Sequence, residues 1–166
     1  DLYDENDRAT RIVYADGNEE TYTYDPMGNR LSATDANGTT SYTYDPLNRL
    51  TRVDNPDGSS IETEFNGFHE IAAQHTTING VRTSTWYNYD NAGRLTSVSD
   101  GQYVGNKTYY EYDAVGNQIQ IRYPNGTVTD YYYDDLNRLI SMETLDAENN
   151  VDRKSTRLNS SHLVIS

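Results

Sequence analysis

Carboxylates carry the most chemical potential in this chain, and six of them follow a tyrosine at near-constant intervals: Asp4, Asp25, Asp45, Asp90, Asp113 and Asp134. A recurring acid could serve as half of an acid/base pair or as a ligand in a calcium loop. Neither pattern is completed. A calcium loop needs alternating oxygen ligands closed by Gly and Glu, and the nearest approach, Asp54-Asn55-Pro56-Asp57-Gly58, reads as a turn. His69 and His75 stand six apart with Glu70 beside the first, which on a strand-rich segment is not a metal-ligand spacing. No nucleophile–base constellation emerges. No catalytic, cofactor-binding or metal-ligating residue is therefore assigned, and the segment is read as non-enzymatic. Asn37-Gly38-Thr39, Asn106-Lys107-Thr108 and Asn125-Gly126-Thr127 match glycosylation acceptors, but each lies in or beside a turn that explains it.

The acids belong instead to a repeated structural motif. Tyr-x-Tyr-Asp occurs at Tyr22/Tyr24/Asp25, Tyr42/Tyr44/Asp45, Tyr87/Tyr89/Asp90, Tyr110/Tyr112/Asp113 and Tyr131/Tyr133/Asp134, with shorter copies at Tyr3-Asp4 and Phe65-Asn66. The motif aromatics are separated by steps of 21, 20, 21, 24, 23 and 21 residues. A fixed period of this size marks a repeat architecture in which each unit buries its apolar face against its neighbours. Three residues beyond the motif acid stand Asp7, Gly28, Asn48, His69, Gly93, Gly116 and Asn137. Gly, Asn and Asp tolerate positive φ, so one turn geometry is demanded copy after copy, and the motif Asp is suited to accept hydrogen bonds from that turn's amides.

A second turn recurs between the motifs as Asp16-Gly17, Asn37-Gly38, Asp57-Gly58, Asn79-Gly80, Asp100-Gly101 and Asn125-Gly126, a strong hairpin signal. Between turns the residues alternate, so the two motif tyrosines share one face of a strand and are expected to form aromatic ladders across neighbouring strands. No segment carries helical periodicity beyond a turn. The fold class is all-β, built of tandem antiparallel β-hairpin repeats over residues 1–151. The third unit, around residues 61–82, is degenerate and is the expected site of a bulge or looser packing.

Composition agrees. The hydrophobic fraction is 34%, and the aromatics are 16 Tyr against 2 Phe and 1 Trp, so no compact aliphatic core is available. Tyrosine, with an apolar ring and a polar tip, suits a sheet face that is half buried and half wet. A net charge of −13 disfavours nucleic acid and anionic membranes as partners, and no apolar run is long enough to span a bilayer. The chain has no cysteine, which excludes disulfides.

Residues 152–166 break every regularity before them: the period stops, tyrosine vanishes and basic residues cluster. The stretch Asp152 to His162 resembles the translation of a common sequencing adapter, so 152–166 are expected to be non-native and disordered. The tail contributes +2 to the charge of −13, leaving −15 on the body.

The body resembles the YD-repeat, or Rhs-repeat, family over residues 2–151. The family pattern is met at Tyr89-Asp90-Asn91-Ala92-Gly93-Arg94-Leu95 and at Tyr112-Asp113-Ala114-Val115-Gly116-Asn117. The resemblance implies a segment of a spiral YD-shell sheet in a large secreted or cell-surface protein. In bacterial polymorphic toxins and Tc-type complexes the shell encloses a C-terminal toxin domain, which with flanking repeats would be this segment's partner. The alternative is a surface adhesin or carbohydrate-binding repeat module, as in the adhesive animal teneurins. Seven repeats are too few to close a shell, so the chain is read as a fragment whose function belongs to its parent. Its open sheet edges are expected to make the isolated piece self-associate.

Overall fold

A computed structural model describes residues 1–101 and 106–148, and the backbone of 151–154. The chain divides into two compact units, Asp1–Thr85 and Trp86–Ser166. The first unit contains β1 (Leu2–Tyr3), β2 (Ala9–Val13), β3 (Glu19–Tyr24), β4 (Arg30–Asp35), β5 (Gly38–Tyr44), β6 (Leu50–Asp54), β7 (Ser60–Phe65) and β8 (Ile71–Ile78). The unit boundary falls within β9 (Val81–Tyr89). The second unit continues with β10 (Leu95–Asp100), β11 (Lys107–Tyr112), β12 (Gln118–Arg122), β13 (Val128–Tyr133), β14 (Leu139–Leu145) and β15 (Val151–Lys154). Within each unit the strands pair antiparallel in chain order, and the described residues contain no helix. The all-β hairpin-repeat expectation holds.

Two turn types alternate along the sheet. The motif turn closes with two main-chain bonds: in the Asp25 copy, Asp25 N donates to Asn29 O at 2.9 Å and Gly28 N to Asp25 O at 3.1 Å. This is a three-residue hairpin loop with a left-handed residue near its end, which forces a bulge in the strand beside it. The register indeed shifts just before the motif aromatic in five of the repeats, between Thr23/Tyr24, Thr43/Tyr44, Glu64/Phe65, Glu111/Tyr112 and Tyr132/Tyr133. Several of the second turns adopt the same closure; Gly58 N, for instance, donates to Asn55 O at 3.0 Å. Only at Asn79-Gly80 are both residues of the dipeptide left-handed, at φ 52° and 76°. Gly38 is held by its neighbour as well as by its φ of 129°, since a Cβ there would meet Pro56 Cβ at 2.6 Å.

Burial is thin. Ala73 is the one buried hydrophobic residue among those described; Ser60, His75, Ser97 and Thr129 are the buried polar ones. The motif tyrosines from Tyr22 to Tyr133 are half-buried, whereas Tyr3 is exposed. The direct cross-strand partners of the first motif tyrosines are apolar rather than aromatic: Tyr22 faces Ala33, Tyr42 Val53, Tyr110 Ile121 and Tyr131 Met142. The expected ladder across adjacent strands is therefore interleaved, because the intervening strand of each repeat carries no motif tyrosine. Strands bearing equivalent rings lie two spacings apart, about 9.6 Å.

Of two further expectations, the bulge in the unit around residues 61–82 is found, between Glu64 and Phe65, in a unit that also holds Ala73 at 0% and His75 at 4% exposure. The tail boundary at 151/152 falls inside β15, where Lys154 pairs with Glu143 and Arg153 with Thr144, so 152–154 are extended and paired rather than disordered. Main-chain pairing asks nothing of the side chains, so it does not bear on the segment's origin. Residues 155–166 lie outside the described residues.

Candidate functional site

The motif carboxylates recur from repeat to repeat, and each is consumed by its own turn. Asp90 is representative. Its Oδ1 accepts the amides of Ala92 at 2.9 Å and Arg94 at 3.0 Å, while its Oδ2 accepts Arg94 Nε at 2.7 Å and Nη2 at 2.7 Å. Asp4, Asp45 and Asp134 repeat this with Arg8, Arg49 and Arg138. In the Asp25 and Asp113 copies the guanidinium is replaced by an amide: Asn29 Nδ2 reaches Asp25 Oδ2 at 2.8 Å, and Asn117 Nδ2 reaches Asp113 Oδ2 at 2.9 Å. The turn residues Gly28, Gly93 and Gly116 sit at φ 95°, 75° and 100°; Asp7, Asn48, His69 and Asn137 sit between 58° and 67°.

This bonding favours the ionised acid. The Arg94 amide, then its guanidinium, holds the Asp90 carboxyl below its usual range, and the Asn29 side chain does so first for Asp25. At Asp45 and Asp113 partial burial is the largest single influence and pushes upward, but the turn's hydrogen bonds together outweigh it. A carboxylate with its lone pairs committed and its proton affinity lowered is a poor general acid or base at neutral pH. It is a turn acceptor.

The second motif tyrosine links four of the repeats to the one before. Tyr24 Oη donates to Ala9 O at 3.0 Å, Tyr44 to Arg30 O at 3.0 Å, Tyr112 to Leu95 O at 2.9 Å and Tyr133 to Gln118 O at 2.9 Å. In every case the acceptor stands five residues past the preceding motif Asp. Where the residue before that carbonyl is an arginine, it lies over the same ring, with Arg8 4.6 Å from the Tyr24 centroid and Arg94 4.8 Å from that of Tyr112. Arg49 covers Phe65 in the same way at 4.2 Å. Burial raises the Tyr131 phenol, with Tyr123, Tyr133 and Tyr110 nearby adding to the effect.

Sequence reasoning placed the motif Asp and Tyr but left out the arginines and asparagines four residues past the acid. The fixed offset of Arg8, Asn29, Arg49, Glu70, Arg94, Asn117 and Arg138 was the available signal.

Other chemistry-bearing residues do not converge. His69 lies on an exposed turn with Nδ1 3.1 Å from Arg49 Nη1, whereas His75 is buried on β8 between Ser84 Oγ at 2.7 Å and Glu64 Oε1 at 3.1 Å. Among the described residues no group of three or more His, Asp or Glu is placed to hold a metal ion. An open cleft in the first unit is lined by Glu20, Tyr22, Arg30, Asp35, Asn37 and Pro56. Its aromatic is occupied: Arg30 lies over the Tyr22 ring at 4.6 Å. The Tyr22 hydroxyl is bonded to Glu20, and that bond, with burial, pushes its phenol up to about 12.

Comparison with known proteins agrees with this geometry. A family model described as RHS Repeat matches residues 3–40 and 31–60, and one described as Teneurin YD-shell matches residues 52–152. The chain is 32% identical over 158 residues to the tRNA nuclease WapA of Bacillus subtilis, covering 93% of this chain and 6% of that protein. It is 31% identical over 166 residues to the tRNA3(Ser)-specific nuclease WapA of Bacillus spizizenii, again covering 6% of the relative. Among solved structures it matches a Photorhabdus luminescens Tc holotoxin pore with a TM-score of 0.75 at 15% identity, over 90% of this chain and 9% of that one. A TcdB2–TccC3–TEV crystal structure matches with a TM-score of 0.61 at 16% identity, over 90% of this chain and 10% of that one. With family models spanning residues 3–152 and the same hairpin-repeat fold, the chain belongs to the YD-repeat (Rhs-repeat) family.

Proposed function

We propose that this chain is a stretch of wall in a YD-repeat shell that encloses a toxin domain of the same parent protein, and that the stretch itself does no catalysis. The observation that carries this reading is the commitment of the motif side chains: acid, arginine and tyrosine hydroxyl all hold turns or join neighbouring repeats. A wall needs that and nothing more. Support also comes from the fold shared with Tc toxin structures and from relatives named as nucleases, of which the chain spans about 6% of the length. A toxic activity would then reside elsewhere in the parent, which would be secreted or displayed at the cell surface.

The test is protease protection in the full-length parent. Under native conditions the enclosed domain should survive a protease dose that destroys the same domain expressed alone. Equal digestion of the two would overturn the proposal. The excised repeat chain, assayed for tRNA cleavage, should be inactive.

A further inference from the structure

We propose that the residue four places past the motif acid and the turn residue of the following repeat form a matched pair, and that this pair sets which repeat can stand beside which. Within the two units the structure offers five such joints, and they fall into three matched types. In the first, an arginine meets a glycine: Arg8 Nη1 donates to Asp25 O at 3.1 Å beside Gly28, and Arg94 Nη1 donates to Asp113 O at 3.1 Å beside Gly116. A Cβ on Gly28 would already lie 3.7 Å from Arg8 Nη1, and one on Gly116 3.9 Å from Arg94 Nη1. That much is ordinary contact, but any longer side chain directed the same way would enter the guanidinium's path.

In the second type, an asparagine meets an asparagine. Asn29 Nδ2 donates to Asn48 Oδ1 at 2.9 Å, and Asn117 Nδ2 donates to Asn137 Oδ1 at 2.9 Å. Here the turn residue carries its own acceptor out to the neighbour, and the shorter donor suffices. The third type has one member, in which Arg49 Nη1 meets His69 Nδ1 at 3.1 Å, so a side-chain acceptor again replaces the carbonyl. Donor length and acceptor position thus change together from joint to joint, while the turn backbone stays the same.

Arg138 provides an internal contrast. Its side chain is 70% exposed, whereas Arg8, Arg49 and Arg94 are 25%, 26% and 34% exposed. The latter three lie over the motif aromatic of the next repeat; the residues 21 to 24 places past Tyr133 include no aromatic. The pairing with its own Asp is retained in Arg138, so the difference in burial belongs to the joint.

The inference concerns neighbour choice and does not depend on what the wall encloses, so a cargo that fails to be protected would leave it standing. A double-mutant cycle on the full chain tests it: Asn117→Arg, Asn137→Gly and the two together, read by urea unfolding and by hydrogen exchange at the Arg138 amide. The double variant rebuilds the Arg94–Gly116 joint, with the new arginine over Tyr133. Each single variant should be mismatched, and the double should recover, with a favourable coupling of at least about twofold in the unfolding constant. The intrinsic effect of glycine at a positive-φ turn cancels in the cycle. Independent effects that simply multiply, or a double variant worse than either single, would overturn the pairing. If the single variants leave the second unit unfolded, the same exchange at Asn29 and Asn48 supplies the cycle in the first unit, with the same two outcomes.

Discussion

The turn at Asp90–Arg94 and the turn at Asn66–Glu70 have the same skeleton with the polarity of their side chains reversed. In both, the first residue's amide donates to the carbonyl four places on at 2.9 Å, and the fourth residue is left-handed, Gly93 at φ 75° and His69 at φ 67°. In both, one side-chain oxygen accepts two amides: Asp90 Oδ1 takes Ala92 and Arg94, and Asn66 Oδ1 takes Phe68 at 2.9 Å and Glu70 at 3.0 Å. The remaining bond runs opposite ways. Arg94 Nε donates to Asp90 Oδ2 at 2.7 Å, whereas Asn66 Nδ2 donates to Glu70 Oε2 at 2.7 Å. The acid has moved from the first position to the fifth and the donor from the fifth to the first. The turn is therefore specified by an acceptor oxygen aimed at two amides plus a complementary partner, not by a charge at a particular place.

The largest effect should come from breaking that complementarity. Asn66→Asp keeps the acceptor oxygen but sets a carboxylate against Glu70, replacing a donor with a like charge. A loss of about 1–3 kcal/mol is expected, from the lost hydrogen bond and the unpaired acceptor. It would appear as a lower urea midpoint for the first unit. Asn66→Asp combined with Glu70→Arg recreates the Asp90–Arg94 pairing and should return stability to within about 0.5 kcal/mol of the parent. If Asn66→Asp alone were neutral, complementarity would not matter and the equivalence of the two turns would be superficial.

A smaller difference separates two aromatics that lie beneath the arginine of the preceding repeat, Tyr112 and Phe65. Tyr112 is bonded through its hydroxyl to Leu95 O at 2.9 Å beneath Arg94; Phe65 lies beneath Arg49 with no hydroxyl to offer Leu50, the equivalent carbonyl. Tyr112→Phe should cost about 1 kcal/mol, and Phe65→Tyr should gain up to a similar amount. Thermal melts of the two variants should shift in opposite directions. A gain at both positions, or a loss at both, would show that the ring and not the hydroxyl carries the joint.

These contrasts also show what the sequence could and could not reveal. The turns were legible because they are local: a residue that tolerates positive φ three places past an acid, at a fixed period, leaves little choice of backbone. The hairpin order followed from the Asp-Gly and Asn-Gly dipeptides for the same reason. The joints between repeats were not legible, because Arg8 and Asp25 O meet across 17 residues and their meeting depends on a glycine whose role looked purely conformational. The Phe65–Asn66 unit could be read only as degenerate, with an expected bulge or looser packing, because its motif letters differ. Only the positions of donors and acceptors reveal that Asn66 and Glu70 exchange roles, and that the strand after them carries the well-buried Ala73 and His75. The alternation of the tyrosines could be read from their spacing, yet the partners of their hydroxyls, main-chain carbonyls in the preceding repeat, leave no trace in residue type.

The smallest effect is a local one in acid. The Arg94 amide and guanidinium hold the Asp90 carboxyl below its ordinary 3.8, so its folded value lies under its unfolded one. Such a group contributes stability that is fully present above 3.8 and is lost as pH falls through the folded value, which confines the loss to strongly acid solution. At the other turn the oxygen that accepts the Phe68 and Glu70 amides belongs to the Asn66 carboxamide and does not titrate. Between about pH 5 and about pH 2 the amide resonance of Ala92 should therefore move with the Asp90 titration, while that of Phe68, which is bonded to the carboxamide oxygen, moves much less. Parallel movement at both turns would mean that net charge, rather than the aim of one oxygen, holds the skeleton they share.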